Sequence, residues 1–238
     1  VAAACLACGC ADFRPSVSAD AADGAESVTI PLARGGNHLF ARVEVNGKDA
    51  GWWIVDTGAS INCVLGGTAD ALNLPRGLPS RQARVEDPEG RSVAAELRQV
   101  WSMRIGGVRV GPHALFVPAR VNHSWLTNKS GGVIGMPVLK RWPCTIDYSI
   151  PAVTFHLTPP QPPRGAVVVE LIPRGRDLAG ERCPHAEAGI GIGGKFKAWK
   201  LRPLLIDTGS DSALDLVSAD GADVLPGTVS SSLTFVGF

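Results

Sequence analysis

Two aspartates lie far apart in the sequence in nearly the same surroundings. Asp56 lies in the stretch WIVDTGAS and Asp207 in LLIDTGS, so each follows an apolar run and precedes a threonine and a glycine. Aspartate and glycine are common turn residues, so one such stretch would indicate only the end of a strand. Two copies in matching contexts are far more specific. Two carboxylates held close together share a proton, so one can act as a base while the other acts as an acid.

The similarity extends beyond the two acids. The stretch VEVNGKDAGWWIVDTGAS aligns with IGIGGKFKAWKLRPLLIDTGSDS, because each has a β-branched strand, a Gly-Lys turn, a tryptophan and an apolar run. The acids are 207 − 56 = 151 residues apart, which is too long for a solenoid repeat and is typical of duplicated lobes. Two related lobes packed about an approximate two-fold axis would bring Asp56 and Asp207 within hydrogen-bonding reach.

The residues around each acid suit that arrangement. The threonines can hydrogen-bond across the lobe interface and hold the two loops in register. The glycines let backbone amides approach the carboxylates closely. The serine of the second copy can orient the outer oxygen of its acid, whereas in the first copy the serine lies one residue further on. These supporting residues are Thr57, Gly58 and Ser60 in the first copy and Thr208, Gly209 and Ser210 in the second.

The chemistry that such a pair predicts is hydrolysis of a peptide bond. One carboxylate would deprotonate a water molecule while the other protonates the substrate carbonyl, giving a tetrahedral intermediate without a covalent enzyme. This mechanism requires no metal or other cofactor, and the five histidines show no metal-ligand spacing. The glycine-rich stretch GIGIGG is not followed by a helix start, so a dinucleotide site is disfavoured.

Composition predicts short strands rather than long helices. The 238 residues are 45% hydrophobic and 19% charged, with 28 glycines and 18 prolines, which is typical of a folded β-rich protein. The alternating run LFARVEV precedes Asn46-Gly47, a strong hairpin signal. The stretch TADALNLP predicts a short helix that is capped by Thr68 and ended by Pro75. Arg84 to Leu97 predicts a second hairpin, with its turn at Asp87, Pro88, Glu89 and Gly90.

A proline-rich stretch divides the chain. Residues 159–165 predict a semi-rigid linker, because prolines this dense cannot join a central strand. The predicted organisation is a leader remnant with a flexible tether over 1–25, a first lobe over 26–158, the linker, and a second lobe over 166–238.

Three motifs in order resemble those of the retropepsin-like aspartic proteases, specifically the bacterial envelope-associated group. They are the Asp-Thr-Gly of the first lobe, the Asp87–Gly90 turn, and Val133-Ile134-Gly135 within GGVIGMPVL, followed by the strand pair IDYSIPAVTF. The resemblance implies an all-β, two-lobed barrel with Asp56 and Asp207 as its catalytic dyad. It also implies a flap hairpin over an extended polypeptide substrate and a hydrophobic-hydrophobic-glycine element beneath the catalytic loop.

The second lobe departs from this pattern. The chain ends 238 − 207 = 31 residues after Asp207, whereas the hydrophobic-hydrophobic-glycine element of the first lobe begins 133 − 56 = 77 residues after Asp56. We therefore expect an incomplete second lobe, which leaves the activity of this chain open. Two alternatives to a single-chain protease remain: an inactive peptide-binding module of the cell envelope, and a homodimer in which Asp56 pairs with its own copy.

The N-terminal stretch VAAACLACGC is typical of the end of an export signal. Its ACGC segment resembles a bacterial lipobox, in which Cys10 would carry a lipid and tether the protein to a membrane. We therefore expect an exported protein of the periplasm or envelope. The formal net charge of +1, without a block of like charges, gives no support to nucleic-acid binding. The three scattered cysteines leave disulfide pairing open, with Cys63–Cys144 as one candidate pair.

Overall fold

The fold is almost entirely β, as the sequence predicts. A computed structural model describes residues 16–20, 25–77, 83–86, 92–119, 130–161, 164, 171–174, 183–188, 202–205, 208 and 233–235. The two helices of this part are short: α1 spans Gly66–Ala71 and α2 spans Met136–Leu139. The strands are β1 (Val17–Ala19), β2 (Ser27–Pro31), β3 (Ala33–Gly35), β4 (His38–Val45), β5 (Lys48–Val55), β6 (Cys63–Val64), β7 (Ala83–Glu86), β8 (Ser92–Val100), β9 (Met103–Ile105), β10 (Val108–Val110), β11 (His113–Pro118), β12 (Gly132–Ile134), β13 (Cys144–Asp147), β14 (Ala152–His156), β15 (Leu171–Arg174), β16 (Cys183–Ala188), β17 (Arg202–Leu205) and β18 (Leu233–Phe235).

These strands form three sheets. The largest has eleven strands in the order β1-β10-β9-β4-β5-β12-β6-β11-β8-β7, with β3 paired to β4. A four-stranded sheet has the order β18-β13-β14-β2, and a three-stranded sheet has the order β15-β16-β17. The last described strand of the chain therefore pairs with β13 of the first lobe, from Cys144↔Phe235 to Ile146↔Leu233.

The β4–β5 hairpin shows why the large sheet forms where it does. Asn46 and Gly47 both have positive φ, at 51° and 75°, which is the conformation that a two-residue type I′ turn requires. The strand pairing that follows buries Trp53 and Val55 on one face of β5, in the main core. Ile54 points to the other face, in a smaller cluster with Phe40.

The duplication seen in the sequence is also present in the strand registers. In the first lobe β3, β4 and β5 form an antiparallel meander, with Ala33 opposite Phe40 and Phe40 opposite Ile54. In the predicted second lobe β15, β16 and β17 form the same meander, with Ile172 opposite His185 and His185 opposite Leu205. In each meander the facing residue on the third strand, Ile54 or Leu205, lies two residues before an aspartate, since 56 − 54 = 207 − 205 = 2.

Two local expectations are wrong. Helix α1 begins at Gly66, with Leu65 at its N-cap and no side-chain cap, so Thr68 lies inside the helix instead of capping it. The helix ends at Ala71, and Asn73, in the left-handed region at φ 53°, turns the chain before Pro75 is reached.

The predicted flexible tether contains an ordered strand. Val17 to Ala19 pair with β10, and Val17 is buried. Asp20 then fixes this segment, because its carboxylate accepts hydrogen bonds from Arg104 at 3.1 Å and from Arg109 at 2.8 Å. Among the described residues, no helix is long and apolar enough to span a membrane.

Candidate active site

Asp56 lies directly after the buried strand β5. Its backbone N–H donates to the carbonyl of Ile134 at 3.0 Å, which ties the start of the loop to β12. The backbone N–H groups of Gly58 and Ala59 donate to Asp56 Oδ1 at 2.7 and 3.1 Å. These two donors hold the half-buried carboxylate in one orientation. A loop that folds back on its own acid in this way needs residues without bulk immediately after it, and the sequence TGAS supplies them.

The second Asp-Thr-Gly copy contacts the first through its threonine. Thr57 N–H donates to Thr208 Oγ1 at 3.1 Å, and Thr208 N–H donates to Thr57 Oγ1 at 3.1 Å. Thr208 Oγ1 also donates to the carbonyl of Val55 at 2.8 Å. The two threonines are only 1% and 4% exposed. The contact is therefore reciprocal and buried, and it joins loops that are 151 residues apart.

The other residues of the second copy lie outside the described part of the chain. These are Asp207, Gly209 and Ser210. Thr208 follows Asp207 directly in the sequence, so the position of Thr208 against Thr57 is the structural observation that bears on a pair of acids. In the first copy, Ser60 lies half-buried in the loop between Asp56 and β6.

The hydrophobic-hydrophobic-glycine element runs alongside the Asp56 loop. β12 pairs in parallel with β5, so Val133 lies opposite Ile54 and Ile134 opposite Val55. A Cβ atom at Gly135 would lie 2.4 Å from the carbonyl oxygen of Ile61 and 2.5 Å from that of Ala59. Only glycine fits there, because a side chain would push the loop away from the element.

Asn62 reinforces this junction, and we did not single it out from the sequence. Its side-chain oxygen accepts the N–H of Gly135 at 2.9 Å, and its own carbonyl accepts the N–H of Phe116 at 3.2 Å. Asn62 is buried. The signal available in the sequence was an amide residue inside the apolar run INCVL, since a buried polar side chain requires a partner.

The predicted flap turn from Asp87 to Gly90 also lies outside the described residues. The strands on either side of it are described. β7 and β8 pair antiparallel from Ala83↔Ala95 to Glu86↔Ser92, so they are the two arms of one hairpin. β8 continues to pair with β11, which joins this hairpin to the sheet that carries the Asp56 loop.

A small apolar cluster flanks the acid. Ile54, which precedes Asp56 by two residues, packs with Phe40 and Val133, and Cys63 and Ala59 pack against them. Burial, and then the negative charge of Asp56, raise the pKa of the Cys63 thiol to about 12. Cys63 is therefore a neutral apolar group beside the carboxylate.

The candidate disulfide is not formed. Cys63, in β6 of the large sheet, and Cys144, in β13 of the four-stranded sheet, are both free thiols. Within the described residues, no group of three or more His, Cys, Asp or Glu side chains could hold a metal ion. Cys10 lies in the part of the chain that the structure does not describe.

Part of this chain is similar to known proteins. Residues 41–138 match the family model described as aspartyl protease, a span that contains Asp56, the β7–β8 hairpin and Val133-Ile134-Gly135. Among solved structures, the chain is similar to the crystal structure of a retropepsin-like aspartic protease from Rickettsia conorii. The identity is 19%, the TM-score is 0.37, and the match covers 60% of this chain and 96% of that chain. No curated protein matches the chain.

Proposed function

We propose that this chain is a retropepsin-like aspartyl protease, an endopeptidase that activates water between Asp56 and Asp207. The observation that carries the proposal is the reciprocal pair of hydrogen bonds between Thr57 and Thr208. Each threonine directly follows one of the acids, so a symmetric contact between the threonines supports a symmetric approach of the residues before them.

Two carboxylates in such an approach do not ionise independently. The first proton leaves easily and the second is held, because a second negative charge beside the first is unfavourable. Between the two steps the pair carries one proton and one negative charge. This singly protonated pair is the form that can act as base and acid in one step, so activity should follow a bell-shaped pH profile on the acidic side of neutrality.

The proposed reaction proceeds in two balanced steps. The ionised carboxylate takes a proton from water while the water oxygen attacks the peptide carbonyl carbon, and the protonated carboxyl gives its proton to the carbonyl oxygen. In the second step the C–N bond of the tetrahedral intermediate breaks. The protonated carboxyl gives its proton to the departing nitrogen, and the ionised carboxylate takes the proton of one hydroxyl group of the intermediate, so the pair is singly protonated again. The products are a new carboxyl end and a new amino end.

The described surroundings suit an extended polypeptide. The arms of the β7–β8 hairpin lie at one edge of the large sheet, where a strand-like peptide can pair with backbone groups. Phe40, Ile54 and Val133 form a buried apolar cluster beside the Asp56 loop. Ala59, a partly exposed residue of that loop, packs on the cluster and offers apolar surface to a substrate side chain. We propose substrates that are unfolded or extended and that place an apolar residue at the bond to be cleaved.

A dyad within one chain is favoured over the homodimer. Thr57 N–H and Thr57 Oγ1 both bond to Thr208 of the same chain. A second copy of the first lobe would have to displace these bonds in order to pair its own threonine loop with Thr57. A single-chain protease has a specific activity that does not change with dilution, whereas a homodimer loses specific activity below its dissociation constant.

The test is cleavage of an unfolded, alkylated protein between pH 4 and 6 by wild type, Asp56→Asn and Asp207→Asn, each over a dilution series. We expect both variants to lose cleavage and the wild type to keep its specific activity on dilution. Loss in Asp56→Asn alone would assign the dyad to a homodimer. If wild type and variants are equally inert but still bind peptide, the binding-module alternative replaces the protease.

From the sequence alone we also propose that the protein is exported and carries a lipid on Cys10. The test is fractionation of the cells that produce the full-length protein. Wild type should sediment with membranes, and Cys10→Ser should appear in the soluble exported fraction. Equal distribution of the two proteins would contradict lipidation at this residue.

A further inference from the structure

The turn between β13 and β14 carries Tyr148, the one tyrosine of the sequence. Its hydroxyl donates to the main-chain carbonyl of Thr208 at 3.5 Å, and its ring is partly buried against the main core. The carbonyl of Tyr148 in turn accepts a hydrogen bond from the Arg34 guanidinium at 3.5 Å. Tyr148 therefore connects the first lobe to the threonine of the second Asp-Thr-Gly copy.

The turn that presents Tyr148 is itself well defined. Asp147 Oδ1 accepts hydrogen bonds from the N–H of Ser149 at 2.7 Å, from its hydroxyl at 2.6 Å and from the N–H of Ile150 at 3.1 Å. Asp147 and Ala152 close the strand pairing on either side of the turn. These bonds fix the backbone around Tyr148, so the tyrosine ring extends from a defined position.

The contacts of Thr208 divide between its two peptide planes. The N–H of Thr208 belongs to the plane shared with Asp207, and Thr57 Oγ1 holds that plane. The carbonyl of Thr208 belongs to the plane shared with Gly209, and the Tyr148 hydroxyl bonds to it. The hydroxyl of Thr208 is fixed separately by Thr57 and Val55. The threonine contacts therefore restrain the chain before Thr208, and Tyr148 restrains the chain after it.

We infer that Tyr148 is a positioning residue for the second acid loop, acting through the carbonyl of Thr208. The inference rests on the proposed function, in which Asp207 is the partner of Asp56. Tyr148 need not touch substrate in this role. Loss of its hydroxyl would let the second loop move away from the first, which weakens the electrostatic coupling between two carboxylates because that coupling falls with distance.

The test is Tyr148→Phe, which removes the hydroxyl and keeps the ring. The matched control is Thr29→Val, which removes a hydroxyl from β2 of the same four-stranded sheet, where Thr29 bonds to Thr154 at 2.9 Å. Three quantities are measured on the full chain: kcat and KM with an unfolded protein substrate, the width of the pH profile of kcat/KM, and amide hydrogen exchange in the peptide that contains Thr208.

For Tyr148→Phe we expect kcat to fall by about 2- to 10-fold, the range that one modest hydrogen bond supports, with KM changed less than about twofold. The pH bell should narrow, since weaker coupling brings its two apparent pKa values together. Exchange around Thr208 should accelerate by a similar factor, while Thr29→Val should leave all three quantities unchanged.

Other outcomes separate the inference from the proposed function. Wild-type values for Tyr148→Phe in all three measurements would overturn the inference. A lower kcat with an unchanged bell and unchanged exchange would also overturn it, since fewer folded molecules produce that pattern. If the wild type is inert, the proposed function has failed. Faster exchange in Tyr148→Phe alone would then still support the hold on Thr208, and equal exchange would refute it.

Discussion

Replacing Thr208 with valine tests the central contact of the site. Valine keeps the shape of threonine and removes only the hydroxyl. In the structure that hydroxyl accepts the N–H of Thr57 and donates to the carbonyl of Val55, and all of these groups are buried or nearly so. The substitution therefore leaves one donor and one acceptor without the partner that each has in the wild type.

The cost follows from the two groups left behind. A buried polar group that loses its partner costs about 1–3 kcal/mol of stability. Because the structure can relax in part around the two groups, we expect a total loss of about 2–4 kcal/mol. For a chain of this size each kcal/mol lowers Tm by about 2–4 °C, so we expect a loss of roughly 5–15 °C. In the proposed function the two acids are held through these threonines. We therefore also expect kcat to fall by about 10- to 100-fold, as for a misplacement of the order of 1 Å.

The assay pairs thermal unfolding with cleavage of an unfolded protein, and Thr208→Ser is the control. Serine keeps the hydroxyl and removes one methyl group, at a cost of about 1 kcal/mol. A double-mutant cycle with Thr57→Val should give a coupling energy of about 0.5–3 kcal/mol, since the two side chains share their bonds. If the valine and serine variants are equally stable and equally active, the Thr208 hydroxyl does not have the proposed role. Strictly additive stability effects of the two valine substitutions would also refute that role.

Three further predictions concern other parts of the first lobe. Gly135→Ala should destabilise the protein by about 2–4 kcal/mol in denaturant titration, because the new Cβ would lie 2.4 Å from the carbonyl oxygen of Ile61 and would strain or displace the loop. The control is Gly67→Ala in α1, where an added Cβ meets nothing within 4 Å. It should be neutral or stabilising by up to about 1 kcal/mol. Burial lowers the pKa of His113 below 6.5, so the unfolded chain binds its proton more readily and stability should fall as pH drops below 6.5 towards the folded value; His113→Gln should lose less stability over that interval, and an identical slope would contradict this reasoning. Cys63, with a pKa of about 12, should resist alkylation by iodoacetamide at pH 8 in the native protein and react on unfolding, as followed by peptide mass mapping.

Local features of the first lobe were predictable because their causes are local. The turn at Asn46 and Gly47 and the arms β7 and β8 follow from residues that are close in sequence, and the structure confirms them. The strand pair β13 and β14, which the family resemblance implied, is present as well. The sequence could not reveal that β1 pairs with β10, because its composition is that of a tether and its partner lies about 90 residues away. The pairing of β18 with β13 is hidden for the same reason.

Details of the site required the folded structure. The helix after the Asp56 loop begins at Gly66 rather than beside its threonine, because the N–H of Ala69 bonds to the carbonyl of Leu65. The role of Asn62 could not be predicted, because its side chain accepts a hydrogen bond from Gly135, which is 73 residues away in the sequence. Tyr148 likewise has no local motif, since its hydroxyl acts on Thr208. Residues that join distant segments leave little trace in local sequence pattern.

The two meanders show why the threonines can meet at all. In each three-stranded meander, the residue of the third strand that faces the middle strand lies two residues before the aspartate. This residue is Ile54 in the first meander and Leu205 in the second. Equal registers place the two Asp-Thr-Gly copies at the same position after their meanders, which favours a symmetric contact between them. The contact between Thr57 and Thr208 is reciprocal and has the same length in both directions, 3.1 Å. Further contacts to Val55 and Tyr148 come from the first lobe. Within the described part of the chain, the partners that restrain Thr208 are thus Thr57, Val55 and Tyr148, which all belong to the predicted first lobe.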